Sequence, residues 1–220
     1  MPSNHPTLEW LASYASGTIE EAADAVIAAH LTLCPACRRD VARLEHIGGA
    51  LLESEAVPTA PDLSGAEAAM AAAMRPEAPA PRATGTLHRL TPRPMADFIA
   101  ARTGMVDVER LPWRFYGPGV ERAVIETGAD GTTAQLLRSQ PGATLAHHGH
   151  RSDEITYVLS GAYEDETGVY RTGDVQCGDE SAPHQPVIIS PEPCIALVVS
   201  EKPPAPTGLA ARLAQLFLGR

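Results

Sequence analysis

The sequence predicts an α+β chain: a small N-terminal helical bundle joined by a proline-rich linker to an all-β barrel or sandwich. Three observations predict it. Residues 1–57 are rich in Ala and Leu, with apolar residues at helical spacing. Residues 96–200 change to short β-type runs punctuated by Gly and Asp. Between them, RPEAPAPRATGTLHRLTPRP packs five prolines into 76–94, a composition that cannot continue a helix and reads as a semi-rigid tether. The expected divisions are 1–75 helical, 76–95 linker, 96–200 β, and 201–220 an amphipathic tail.

The elements follow in order. Thr7 caps a helix over 8–16, and Gly17 ends it. Thr18 with Glu21 has the form of a capping box and opens a second helix to about Leu31. Cys34 caps a third, with Pro35 in its first position. Val41, Leu44, Leu51 and Leu52 give this helix a stripe expected to be buried, and Gly48-Gly49 offers a bend. Ser64 with Glu67 opens a short Ala-rich helix after Pro58 and Pro61. In the β part, runs 120–127 and 132–138 flank GADG, a hairpin signal. Runs 154–159 and 162–166 flank Ser160-Gly161, TGD at 172–174 marks another turn, and 187–189 and 195–199 flank SPEP. Many short strands at close spacing suggest a sandwich or small barrel. Leu209, Leu213, Leu216 and Phe217 lie at helical spacing in the tail. Trp10, Phe98 and Trp113 read as core.

With 17 basic and 27 acidic residues the net charge is −10, and both the helical part (−6) and the β part (−8) share it. Neither offers a basic face, which argues against direct binding of nucleic acid or an anionic membrane. The start MPSNHPTLEW lacks a basic-then-apolar leader, and no apolar run reaches membrane-spanning length, so the expected location is the cytoplasm. In a reducing compartment a close cysteine pair suggests metal or redox chemistry before a structural disulfide.

His30, Cys34 and Cys37 form H-x3-C-x2-C, with the imidazole near the end of one helix and both sulfurs at the start of the next. Thiolate and neutral imidazole are what Zn²⁺ prefers, in a tetrahedron. Three ligands do not close a structural site, and His5, just ahead of the first helix, is the nearest candidate for a fourth. Two other readings stay open: buried cysteines beside surface histidines, and a thiol redox pair in CPAC, although that pair wants a βαβ setting and its flanks here are helical. Oxidation of Cys34 and Cys37 to a disulfide would expel a metal and loosen the helical unit.

A second group lies in GATLAHHGHRSDEITYVLSG. His148 and His150 alternate onto one face of a strand, Glu154 rejoins that face across a turn, and His184 arrives from a neighbouring strand. Three imidazoles and a carboxylate facing a barrel interior make a divalent-metal site. His147 points the other way. The competing reading is an exposed His-rich turn. Cys177 and Cys194 read as small buried hydrophobes.

Gly142-x5-His148-x-His150-x3-Glu154-x6-Gly161 resembles the first cupin motif. Of the second motif, Gly173 and His184 can be placed, while the internal Pro-x-Gly and the final Asn are absent. A zinc-type helical unit followed by a cupin resembles the ChrR-like zinc-binding anti-sigma factors over nearly all of 1–200, carried by His5, His30, Cys34 and Cys37 and by His148, His150, Glu154 and His184. The resemblance implies a zinc anti-sigma domain and a jelly-roll cupin barrel. It implies structural zinc on the first four residues and a divalent metal, often zinc, on the second four. It implies that residues 1–75 grip an extracytoplasmic-function sigma factor, wedged between the regions that hold RNA polymerase and promoter. The barrel then senses an oxidative signal of the singlet-oxygen or peroxide type, and no residue is catalytic. The acidic charge suits a partner whose DNA-binding surfaces are basic, and Arg38, Arg39 and Arg43 are candidates for pairs with acidic sigma residues. The alternative is a metal-dependent cupin dioxygenase or isomerase with a helical appendage, which would use open positions on iron.

Overall fold

A computed structural model describes residues 1–54, 65–74, 85–128, 131–149, 152–178, 183–201 and 205–206. Helix α1 (Leu8–Ala15) follows Thr7 and is stopped by Gly17, whose φ of +67° lies in the left-handed region that glycine enters without a Cβ clash. Helix α2 (Glu21–Leu33) starts after Glu20, not at Thr18. The Thr18 hydroxyl is turned back to the Ser13 carbonyl and the Ser16 hydroxyl, so it caps nothing. Helix α3 (Pro35–Ser54) begins where the sequence places it. The Cys34 carbonyl accepts from the Arg38 N–H, and its sulfur from the Cys37 N–H at 3.5 Å. α3 runs through Gly48-Gly49 as one helix. Its expected stripe is buried only at the start: Val41 is buried and Leu44 half-buried, while Leu51 and Leu52 are 63% and 75% exposed. Helix α4 (Ala66–Ala73) buries nothing among the described residues.

Helices α5 (Thr86–Leu90) and α6 (Arg93–Thr103) occupy the end of the proline-rich stretch and the start of the region expected to be β. The prolines are compatible with this because Pro92 sits at the N-cap of α6 and Pro94 inside its first turn, where no amide is needed for a helical hydrogen bond. Leu87, Met95, Ala96 and Ile99 are fully buried.

The strands are β1 (Arg114–Gly117), β2 (Val120–Thr127), β3 (Thr133–Ser139), β4 (His148–Gly149), β5 (Glu154–Ser160), β6 (Ala162–Asp165), β7 (Gly168–Arg171), β8 (Val175–Gly178), β9 (Val187–Ile188), β10 (Cys194–Ser200) and β11 (Ala205–Pro206). They build a six-stranded antiparallel sheet ordered β1-β2-β3-β10-β5-β8, a three-stranded sheet β7-β6-β9 and the pair β11-β4. This is the all-β part the sequence predicts. The tail pattern over 209–217 lies outside the described residues.

Strand β5 shows how the layers meet. Its sequence EITYVLS is buried on both faces, apolar at Ile155, Tyr157 and Leu159 and mixed on the other. Ile155, Tyr157 and Leu159 join a buried cluster with Leu11, Val26 and Ile27 of the first helices and Leu87, Met95 and Ile99 of α5 and α6. Val158 points the other way and packs with Tyr163, Tyr170, Ile188 and Cys194. The six-stranded sheet therefore has helices on one face and the small sheet on the other. Arg102 of α6 ties the layers at the rim by pairing with both Glu21 of α2 and Glu126 of β2. Among the described residues no helix is long and apolar enough to cross a membrane.

Candidate metal centres

The first centre sits where α2 ends and α3 begins. One ligand atom from each of His5, His30, Cys34 and Cys37 lies within 4.8 Å of the others. His30, Cys34 and Cys37 are buried, and His5 closes the group from the solvent side. His5 Nδ1 stands 3.4 Å from His30 Nε2, 3.4 Å from Cys34 Sγ and 3.5 Å from Cys37 Sγ. A tetrahedral zinc with bonds of about 2.0–2.1 Å to nitrogen and about 2.3 Å to sulfur has N···N edges of about 3.3 Å and N···S edges of about 3.5 Å. The donor set and its spacing fit that ion.

The proton positions support the same reading. His30 Nδ1 lies 2.8 Å from the Gly173 carbonyl, which can only accept. Nδ1 therefore carries the hydrogen, and Nε2 turns a lone pair toward the other ligands. Burial holds His30 below its usual pKa and so favours this neutral form. Burial also pushes the Cys37 thiol up to about 12, helped by its neighbour Cys34. Without a cation the pocket resists thiolate. A bound divalent ion reverses that by replacing the proton.

The second centre lies between the two sheets. His148, Glu154 and His184 bring ligand atoms within 4.8 Å of one another. His150 lies outside the described residues. His148 and His184 face each other across a small antiparallel bridge, each N–H donating to the other's carbonyl. His148 Nδ1 donates to the Ala146 carbonyl at 2.8 Å, and His184 Nδ1 to Asp165 Oδ2 at 2.7 Å. The two Nε2 atoms lie 3.1 Å apart and turn toward the same point as Glu154. Two imidazoles and a carboxylate converging in this way form a donor set that fits a divalent metal.

Asp165 was not legible in the sequence. Burial opposes its charge, but hydrogen bonds from His184, Thr167 and Gln176 hold its carboxyl well below the usual carboxylate range. Gln176 donates to it at 2.7 Å and in turn accepts from the Tyr163 hydroxyl at 2.6 Å. This carboxylate–imidazole pair orients His184 as outer-shell carboxylates orient metal-binding histidines elsewhere. In the sequence Asp174 reads only as part of a turn, and Gly173 as that turn and as the glycine of the second cupin motif. Nothing local in TGD announces that it faces His30.

The other residues fall as follows. His147 is exposed and outside the second group. The four cysteines are free thiols. Phe98 is buried, and Trp10 and Trp113 pack against the main cluster. Arg38 donates to the Leu31 carbonyl at the end of α2, and Arg43 pairs with Asp40 on its own helix, so both have partners inside the chain.

Comparison with known proteins adds three findings. Residues 101–203 match the model of the ChrR cupin-like domain. The chain is 35% identical over 214 residues to the anti-sigma-E factor ChrR of Cereibacter sphaeroides, covering 97% of each. It also superposes on a chain in the crystal structure of Rhodobacter sphaeroides SigE in complex with the anti-sigma ChrR. There the TM-score is 0.72 and the identity 35%, over 91% of this chain and 99% of that one.

Proposed function

The chain belongs to the ChrR family of anti-sigma factors, and on that premise we propose that it binds and inhibits an extracytoplasmic-function sigma factor in the cytoplasm and releases it on oxidative stress sensed through the barrel. It acts by binding rather than turnover. The full-length similarity supports this over a cupin oxygenase, because helices and barrel match the same relative together.

One observation in the structure carries the reading. The four-residue cluster fixes the α2–α3 corner, and beyond that corner α3 leaves Ile47, Leu51 and Leu52 exposed, with Met70 and Met74 exposed on and just after α4. Large apolar side chains left exposed on each of these helices of an acidic unit support contact with a partner. Zinc is the ion proposed for His5, His30, Cys34 and Cys37, with structural work to do there. A divalent metal, again zinc, is proposed for His148, Glu154 and His184, with His150 as the fourth ligand. Bound metal would supply a fixed charge that holds ionised or neutral ligands in one arrangement. The residues 1–75 would carry the grip on sigma, and 96–200 the sensor.

The test is co-expression of the full chain with an extracytoplasmic-function sigma factor from the same genome, followed by pull-down and metal analysis. The expected result is a 1:1 complex with two zinc equivalents per inhibitor. His30→Ala or Cys37→Ala should remove one equivalent and sigma binding together. His148→Ala or Glu154→Ala should remove the other, leave sigma bound and block release under stress. Failure to capture any such sigma factor with 1–75 intact overturns the proposal.

A further inference from the structure

We infer that the β7–β8 turn of the barrel is a positioning element for the metal centre of the helical unit, so that the affinity of that centre depends on the barrel. This rests on the reading of His5, His30, Cys34 and Cys37 as metal ligands.

Two of the four ligands are held by this turn. Gly173 receives the His30 Nδ1–H on its carbonyl at 2.8 Å. Next to it Asp174, 1% exposed, takes hold of the residues just before His5. Its Oδ1 accepts the Ser3 N–H at 2.7 Å and the Asn4 N–H at 3.1 Å. Its Oδ2 accepts the Asn4 side-chain amide at 3.0 Å and the Ser3 hydroxyl at 3.3 Å. The Asn4 carbonyl accepts from the Val175 N–H, and its side chain donates to the Val169 carbonyl at 2.8 Å. Residues 3 and 4 are thus fastened along both sides of the turn, which leaves His5 little freedom.

The fit is close as well as polar. Gly173 has φ +90°, and a Cβ there would sit 2.8 Å from Leu33 Cδ1 at the end of α2 and 3.3 Å from Pro2. The left-handed φ is what favours glycine here, since the Leu33 methyl is the movable end of a partly exposed side chain. Asp174 keeps its shape through the Arg171 N–H, which donates to Oδ2 at 2.9 Å.

The turn is in turn fixed to the strand that begins with the barrel's own candidate ligand. The Gly173 N–H donates to the Val158 carbonyl, and the Val158 N–H to the Asp174 carbonyl. Val158 lies on β5, which opens with Glu154, and β8 leaves the turn to pair along that same strand, Gly178 facing Glu154. A displacement of β5 or β8 therefore acts on the groups that orient His30 and His5. Loss of such outer-shell partners costs about 10–100-fold in metal affinity. Coupling of this kind is reciprocal, so metal at the helical centre should also hold the turn.

The experiment is zinc competition against a chromogenic chelator on the full chain, with the barrel centre disabled by His148→Ala so that one site is read. Against this background Asp174→Ala and Gly173→Ala are expected to weaken zinc binding about 10–100-fold, with Asp174→Asn, which keeps an acceptor oxygen, falling between. In the same proteins hydrogen exchange at 171–175 should quicken when zinc is stripped from the parent and should change little in Asp174→Ala. Far-UV circular dichroism separates a weakened site from an unfolded chain, and exchange at 171–175 in the parent gives an answer even where a variant does not fold. Unchanged affinity in folded Asp174→Ala, or exchange at the turn indifferent to zinc in the parent, overturns the inference. A parent that binds no zinc at all overturns the metal reading itself.

Discussion

Asp165 and Cys194 show how differently a buried titratable side chain can be employed. Asp165 is fully committed to hydrogen-bond donors, His184 among them, and its task is orientation. Asp165→Asn should keep the fold and lower metal affinity of the barrel centre about 10–100-fold while the helical centre keeps its ion, as read by metal analysis of the two-site protein. Cys194, buried among apolar side chains, has its thiol pushed up to about 12, mainly by burial with a contribution from Glu192, against 9.0 for an ordinary thiol. The folded chain then keeps a proton that the unfolded chain sheds above pH 9, so stability contributed here falls as pH rises from 9 toward 12. Urea midpoints taken from about pH 8 to about pH 10.5 should show this slope, and Cys194→Ala should make it shallower, with Cys37 and Cys177 supplying part of the remainder. Cys177 is raised to about 11, also by burial first, so neither thiol is a ready thiolate at neutral pH. At this scale most candidate ligands were legible because the spacings H-x3-C-x2-C and H-x-H-x3-E are local, while His5 and His184 stand outside those runs. Their supports were not: Asp165, Gly173 and Asp174 act across folds of the chain that no local pattern records.

Elements divide along similar lines. The strands were readable from alternation and turn residues, and β2 spans the residues its pattern indicates. Helices α5 and α6 were hidden by Pro92 and Pro94, which look like breakers and in fact begin a helix. The periodicity of α3 was equally plain, but a period tells which face is apolar and not what covers it. Leu51 and Leu52 look like core in the sequence and are exposed in the structure. Replacing both with Asp should shift the thermal midpoint little, since exposed positions cost within about 0.5 kcal/mol each. The same protein should lose sigma binding by more than about tenfold, or about 1.4 kcal/mol, in a pull-down or titration. A variant that binds as tightly as the parent would remove this face from the proposed interface.

For the whole molecule, one buried cluster runs from Leu11 and Ile27 through Ile99 to Leu136, Tyr157 and Leu197. Helices and six-stranded sheet share it, and Arg102 with its two carboxylates adds a contact at the edge. The expected outcome is one cooperative transition in which helical circular dichroism and, in a Trp10→Phe variant, the fluorescence of Trp113 change together; two separated transitions would show the layers to be independent. The proline pattern suggested two parts on a tether, and the shared cluster was invisible to it because burial between distant segments has no signature in either one. The long-range contacts at the first centre also bear on how the protein is made. His30 meets Gly173 across 143 residues, and Ser3 meets Asp174 across 171. Synthesis proceeds from the N-terminus, so all four ligands of the helical centre leave the ribosome well before the groups that orient two of them. A chain interrupted before residue 173 carries the ligands without that support. On the proposed reading, such a truncated copy of the anti-sigma factor is expected to hold zinc more weakly at the helical centre than the finished chain does.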